Sequence, residues 1–295
     1  MIKQYYPSLG LAKLCGLFGK TRQAFYDHSN RDTDQPMREA LIVDKVTLIR
    51  HLQPRIGCIK LHRMLKEDLA GHHIFIGRDR FCKLMRTLNL QVKRKRRYAC
   101  TTDSNHRYHK WSDLTPGLQL TAPGQLLVSD ITYLRTTKGF VYLSLITDAY
   151  SRKIIGHHLS LHLKAEGCLI ALNKALGSLQ NKGSAVIHHS DRGIQYCCDA
   201  YIQKLQQNHI KISMTQNGSP YENALAERVN GILKSELGLD SVFDSYGHAV
   251  GSTHQAIDVY NRLRPHMSCS YLTPSEAHIN EQPLKKQWKS RHKIN

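Results

Sequence analysis

Acidic residues are sparse in the middle of this 295-residue chain, so their placement is informative. Asp130 lies inside an apolar, β-branched run, Val128-Ser129-Asp130-Ile131-Thr132-Tyr133. A carboxylate there is costly to bury unless it is paired or holds a metal. Asp191 follows another such run, in His188-His189-Ser190-Asp191-Arg192-Gly193, where a strand gives way to a glycine-containing loop. Open α/β sheets place their ligands at such handovers. Glu227 belongs to a helical stretch in which Asn223, Glu227, Asn230 and Lys234 are spaced 4, 3 and 4 apart and so form one polar stripe. Three carboxylates with no histidine or cysteine at matching spacing suit a hard cation, Mg²⁺ or Mn²⁺. Two such ions about 4 Å apart can activate a water or sugar hydroxyl and stabilise the leaving oxygen of a phosphodiester. Asp130 is the expected bridging ligand, with Asp191 and Glu227 each completing one ion. Lys234, two turns beyond Glu227, is placed to meet a phosphate.

The element that must present Glu227 begins with turn residues, Gln216-Asn217-Gly218. Ser219 is a good N-cap, Pro220 suits the first helical position, and Glu222 completes a capping box. Leu225, Ala226, Val229, Ile232 and Leu233 form the opposite, apolar side. Glu222 lies well round the helix from Glu227 and is read as part of the cap. Asp148 is read as a structural turn residue, and His188 and His189 as non-ligands.

Before this helix, Gln125–Arg135, Phe140–Ile146 and Lys153–Leu159 read as three strands of an antiparallel meander. Helix Lys164–Leu179, strand Ser184–His189, helix Asp199–Gln207 and strand Ile210–Met214 follow, and a long helix over about 245–263 comes near the end. That order predicts a mixed five-stranded sheet with helices on its faces and the first strand central. The N-terminal part is helical: 8–28 with a break at Gly19, a linker and helix start at 32–36, then Met37–Leu52, Ile59–Leu69 and Arg78–Leu88. The last two have helix-turn-helix proportions, with Arg78, Arg80, Lys83 and Arg86 outside. Four regions are expected: a helical DNA-binding region over 1–97, a linker over 98–122, a catalytic core with its C-terminal helix over 123–283, and a basic tail over 284–295.

Charge supports a polyanionic partner. The net charge is +19. Residues 1–120 hold 23 Lys and Arg against 10 Asp and Glu, whereas 121–283 hold 14 against 13. The basic excess therefore lies on the flanks, and it includes the run Lys93-Arg94-Lys95-Arg96-Arg97, which suits a phosphate backbone. No apolar run is long enough for a membrane span, and the N-terminus lacks a secretory core. The eight cysteines form no C-x-x-C pair, which argues against a zinc module or disulfide framework. A cytoplasmic, nucleoid-associated protein is expected.

Thirty-five residues separate Asp191 from Glu227, and a lysine follows seven positions later. This pattern resembles the DDE signature of the integrase and transposase superfamily. Asp130-Ile131-Thr132-Tyr133, Thr147-Asp148-Ala149-Tyr150-Ser151-Arg152, His189-Ser190-Asp191-Arg192-Gly193-Ile194-Gln195-Tyr196, Glu222-Asn223-Ala224, Tyr260-Asn261-Arg262-Leu263-Arg264-Pro265-His266 and Thr273-Pro274-Ser275-Glu276 resemble bacterial insertion-sequence transposases encoded by a second reading frame. Cys197-Cys198 and Ser268-Cys269-Ser270 depart from the usual wording, away from the acids. The zinc-binding His-His-Cys-Cys module of retroviral integrases is absent.

The resemblance implies an RNase H-like core, divalent-metal dependence with two ions per active site, cleavage at the 3′ ends of element DNA, and attack of the freed 3′-hydroxyl on a second strand. It carries catalysis to Asp130, Asp191 and Glu227. Gln195 and Asn223 are expected near DNA. The implied partners are double-stranded DNA (element ends and target), further copies of the chain assembled on it, and an upstream reading-frame product or fusion. A stand-alone metal nuclease and a DNA-binding regulator without catalysis are the competing readings.

Overall fold

A computed structural model describes residues 9–92, 107–179, 186–216 and 223–284, with only the backbone for 27–34. Two compact units emerge: Met1–His51 with Gly57–Gln91, and Leu52–Ile56 with Val92–Asn295.

The first unit is helical. α1 (Leu11–Leu17) is followed by α2 (Arg22–Leu52), which runs for 31 residues through Pro36. A linker and helix start is expected at 32–36. Proline removes a backbone donor and crowds the preceding turn, but the helix continues, with Gln35 Nε2 donating to Glu39 Oε1 one turn on at 2.8 Å. α3 (Cys58–Gly71) and α4 (Arg78–Thr87) form the expected helix pair. Leu61, Leu65 and Leu69 of α3 and Phe81 and Met85 of α4 are buried, and Arg78, Arg80, Lys83 and Arg86 are exposed. The basic run 93–97 lies outside the described residues.

The second unit is built on a mixed sheet of order β3-β2-β1-β4-β5, with a short β6 beside β1. β1 (Leu126–Thr136), β2 (Gly139–Asp148) and β3 (Ile154–Ser160) are the antiparallel meander. β4 (Ile187–Ser190) runs parallel to β1, and β5 (Lys211–Met214) parallel to β4. β1 is therefore central, as its apolar flanks predict. The two-residue β6 (Val242–Phe243) adds a strand too short to show periodicity in sequence.

Each face of the sheet has its own core. On one, α5 (Ala165–Ser178) and α7 (Asp199–Gln207) bury Cys168, Leu172, Tyr201 and Leu205 against Leu127, Ile146 and Ile212. Gly156 of β3 makes this possible, because a Cβ there would lie 2.2 Å from the Ala171 carbonyl oxygen. On the other face, α8 (Ala224–Ser235) and α9 (Tyr246–Arg262) bury Val229, Ile232, Leu233, Ile257 and Tyr260 against Leu134, Leu143 and Leu145. The four-residue α6 (Ile194–Cys197) and the six-residue α10 (Pro274–Ile279) were not foreseen as helices. α10 starts with a full capping box between Thr273 and Glu276.

Residues 107–122, read as linker, are partly fastened to this unit. Trp111 packs on the first core, the Leu114 N–H donates to Ser213 Oγ at 2.9 Å, and Gln216 Nε2 donates to the Trp111 carbonyl at 3.2 Å. Among the described residues no helix is long and apolar enough to cross a membrane.

Candidate active site

The β1–β4 register places the first two acids. Leu126 pairs with Ile187, Leu127 with His188 and Val128 with His189. The pairing of the two strands ends at Val128 and His189, and Asp130 and Asp191 each follow two residues beyond that last pair. Both are half-buried. The Gly193 N–H donates to Asp191 Oδ1 at 3.0 Å, which fixes the turn that carries it.

α8 supplies the third. Its residue Ala226 packs with Leu126 and Val128, seating the helix on the face that Asp130 occupies. Asn223 at the N-cap position donates to the Ser129 carbonyl at 3.3 Å, and Asn230 donates to Asp130 Oδ2 at 2.6 Å. Glu227 lies between these two anchors, exposed, one turn before Asn230. Lys234 is half-buried in the last turn. The expected cap residues Ser219, Pro220 and Glu222 lie outside the described residues.

The polar stripe thus divides into buried asparagines that grip β1 and a carboxylate that looks outward. Asn223, expected near DNA, is 8% exposed and faces the strand. Gln195, also expected near DNA, donates to the Leu163 carbonyl at 3.2 Å. Asn230 belongs to the site although sequence reading gave it no role. Its spacing on the stripe was visible, but its reach to Asp130 depends on how α8 lies across β1.

The acids act on one another electrostatically. Loss of water pushes the Asp130 carboxyl up to about 7, and the negative charge of Asp191 adds to the shift. The Ile131 backbone N–H and Asn230 pull it down, and Glu227 contributes a smaller upward push. Asp191 thus bears on the Asp130 carboxyl more strongly than Glu227 does. Among the described residues no three His, Cys, Asp or Glu side chains close on one point as a finished ion cage. The donor set still fits a hard cation: oxygen ligands only, with two crowded carboxylates that a positive charge would relieve.

The neighbouring histidines face inward. His188 Nε2 contacts Ser129 Oγ at 2.7 Å and Tyr201 Oη at 3.0 Å, and burial drives its pKa down to about 3. His189 Nδ1 contacts Ser213 Oγ at 2.9 Å. Asp148 is fully buried and accepts from the Gly124 N–H at 2.6 Å and from the N–H and hydroxyl of Ser151, both at 2.7 Å. It holds a turn, as read from sequence.

Residues 121–220 match an integrase core domain family, and residues 208–274 match a second family of the same description. The chain is 34% identical over 267 residues to the insertion element IS600 uncharacterized 31 kDa protein of Shigella sonnei, covering 89% of this chain and 96% of that one. It is 30% identical over 281 residues to the transposase InsF for insertion sequence IS3A of Escherichia coli K12, covering 93% and 96%. The chain belongs to the insertion-sequence transposases. It is a DNA transposase of the DDE type, a polynucleotidyl transferase, on an RNase H-like core. The transposase is also similar to the HTLV-2 integrase catalytic core domain solved in complex with magnesium, at TM-score 0.43 and 21% identity over 53% of this chain and 97% of that one.

Proposed function

We propose that Asp130, Asp191 and Glu227 are the catalytic carboxylates of this transposase, holding two divalent ions, Mg²⁺ or Mn²⁺, at which element ends are cut and their 3′-hydroxyls joined to target DNA. The observation that carries this reading is that Asp130 and Asp191 each follow two residues past the last β1–β4 pair, with Asp130 gripped by Asn230 of the helix that carries Glu227 and its carboxyl pushed up to about 7 by burial and by the Asp191 charge. When bound, the ions would supply activation of the attacking oxygen and stabilisation of the leaving one.

The chain's own residues do the rest. Asn230 fixes Oδ2 of Asp130 and so sets the direction of its other oxygen. Gly193 fixes Asp191 through its Oδ1. Lys234, on the helix of Glu227, is placed to offset phosphate charge. The helical region 1–97, with Lys93, Arg94, Lys95, Arg96 and Arg97, grips the DNA backbone, and 123–283 performs the chemistry. Gln195 and Asn223 lie near DNA at the site, Asn223 held by the Ser129 carbonyl of β1 and Gln195 by the Leu163 carbonyl. Two element ends call for more than one copy of the chain on DNA, with an upstream reading-frame product or fusion assisting end recognition.

The test uses a supercoiled donor carrying candidate ends, with the protein alone and fused to the upstream product. Asp130→Asn, Asp191→Asn and Glu227→Gln should each abolish Mg²⁺-dependent cleavage and strand transfer while DNA binding persists. Unchanged processing in all three would sink the assignment, and cleavage without joining in the parent would make the protein a nuclease.

A further inference from the structure

The β1–β2 hairpin is longer than the helix laid over it. On the α5 face, the cover ends at Gly167, whose Cβ would touch Ser160 Oγ and approach Ser144 Oγ. Ser144 pairs with Ile131, and Ser160 pairs with Tyr142. Beyond this line the pleat brings Tyr133, Arg135, Phe140 and Tyr142 onto the same face, through the pairs Tyr133 with Tyr142 and Arg135 with Phe140. Tyr133 and Phe140 are 38% and 52% exposed. Tyr133 meets Tyr142 edge-on at 5.3 Å and Phe140 at 6.2 Å. The Arg135 guanidinium sits 5.7 Å from the Phe140 ring centre. Two exposed rings, the half-buried Tyr142 and a cation thus form one patch, and Lys138 stands at the hairpin turn.

The occupant is indicated by charge and position. Arg135 and Lys138 lie on the hairpin and Lys164 just before α5, with the single acid Glu166 in the first turn of that helix, while Asp244, whose carbonyl accepts from Thr137, turns its carboxylate to His248 of α9. This corner of the sheet therefore suits a polyanion, and a second copy of a chain of net charge +19 is a poor match for it. Position adds a second constraint. β1 carries Asp130 midway, and Tyr133 comes three residues later, about 10 Å along the strand. The hairpin projects past the end of β4 that leads to Asp191, and its rings lie on the sheet face opposite Asp130. Exposed rings beside cations bind nucleic acid by stacking on bases, which in an intact duplex are hidden.

We propose that Tyr133, Phe140 and Tyr142, with Arg135 and Lys138, form a stacking platform for unpaired DNA bases released next to the cut. The platform rests on the reading of the Asp130 site as the place where DNA is cut. Sequence-independent stacking of a frayed or displaced strand keeps it from re-pairing while its neighbour reacts.

The test uses the full-length protein without metal, a dT oligonucleotide, blunt duplex, and duplex bearing an unpaired overhang with 2-aminopurine in it. The parent should quench 2-aminopurine on binding, and Tyr133→Ser/Phe140→Leu should not. Its affinity for dT oligonucleotide and for the overhang should fall about five-fold or more per ring removed, with blunt-duplex affinity unchanged. Tyr133→Phe keeps the ring and should keep the quenching, which separates stacking from damage to the fold. Equal quenching and affinity in the double variant would overturn the proposal. So would a change in sedimentation without a change in DNA binding, which would make the patch a protein interface. Cleavage that survives Asp130→Asn would defeat the active-site reading alone, since the stacking measurements involve no chemistry.

Discussion

The helix that carries Glu227 and the stretch from Tyr260 to His278 are similarly rich in polar residues, and both contain sequence words typical of the family. They use those residues in opposite ways. In the C-terminal stretch nearly every polar group is answered within the protein. Arg264, 1% exposed, makes a two-pronged pair with Glu236 at 2.9 and 3.0 Å and donates to His266 Nε2 at 2.8 Å. Asn261 accepts from the Ile154 N–H and donates to the Ile154 carbonyl, both at 2.9 Å, like an extra piece of strand beside β3. At the Asp130 site, by contrast, like charges crowd one another and one carboxyl titrates near neutrality. Saturated polar groups hold a shape, and frustrated ones are where chemistry is stored.

The contrast can be broken at either end. The largest expected effect is on activity: Asp130→Ala should reduce strand cleavage and joining by at least about a thousand-fold, read on gels, with the far-ultraviolet circular dichroism spectrum unchanged. Next is Arg264→Ala, which strands Glu236 and should cost about 3–5 kcal/mol in urea unfolding. Arg264→Met/Glu236→Met should recover most of that loss, and failure to do so would show that the pair does more than hold shape.

A smaller effect appears in metal-free protein as a function of pH. Above about pH 4 the unfolded chain ionises Asp130, while the folded chain keeps the proton until about pH 7. The folded state binds more protons in that window, so Asp130 lowers stability progressively as pH rises through it. Asp130→Asn should therefore melt higher than the parent at about pH 8, by about 1–3 kcal/mol after allowance for solvent, and equal it at about pH 4. Mg²⁺ should raise the melting temperature of the parent and leave that of the variant nearly unmoved. The smallest effect is that of Asn230→Ala. It removes a donor that lowers the Asp130 pKa, so the rise of activity with pH should move to higher pH, with roughly ten-fold loss at neutrality. A uniform loss at all pH values would mean Asn230 only supports the helix.

Much of the second unit was legible in sequence because its strands are short, β-branched and separated by turn residues. The meander, the central β1 and helix Asp199–Gln207 all appear where periodicity places them. What escaped has physical reasons. The four residues Ile194–Cys197 and the pair Val242–Phe243 are shorter than any repeat. Arg22–Leu52 crosses a proline that local rules treat as a stop. The acids could be chosen by spacing, because a register and a helix period fix their relative positions. The inward turn of Asn223 and the grip of Asn230 on Asp130 could not, since both depend on how α8 settles against β1.

The fastening of Trp111 to Leu114 along β5 bears on where this protein can be cut. A fragment begun at residue 121, where the integrase core match starts, would lack Trp111, which packs on the first core, and Asp113, which lies 3.7 Å from His189. It would also bare the backbone of an outer strand, where the Met214 N–H meets the Ser112 carbonyl at 3.4 Å. Such a truncated chain should be sticky and poorly soluble, whereas one begun at 107 keeps these contacts along β5. The working edge of the catalytic unit lies upstream of the point at which its sequence becomes recognisable.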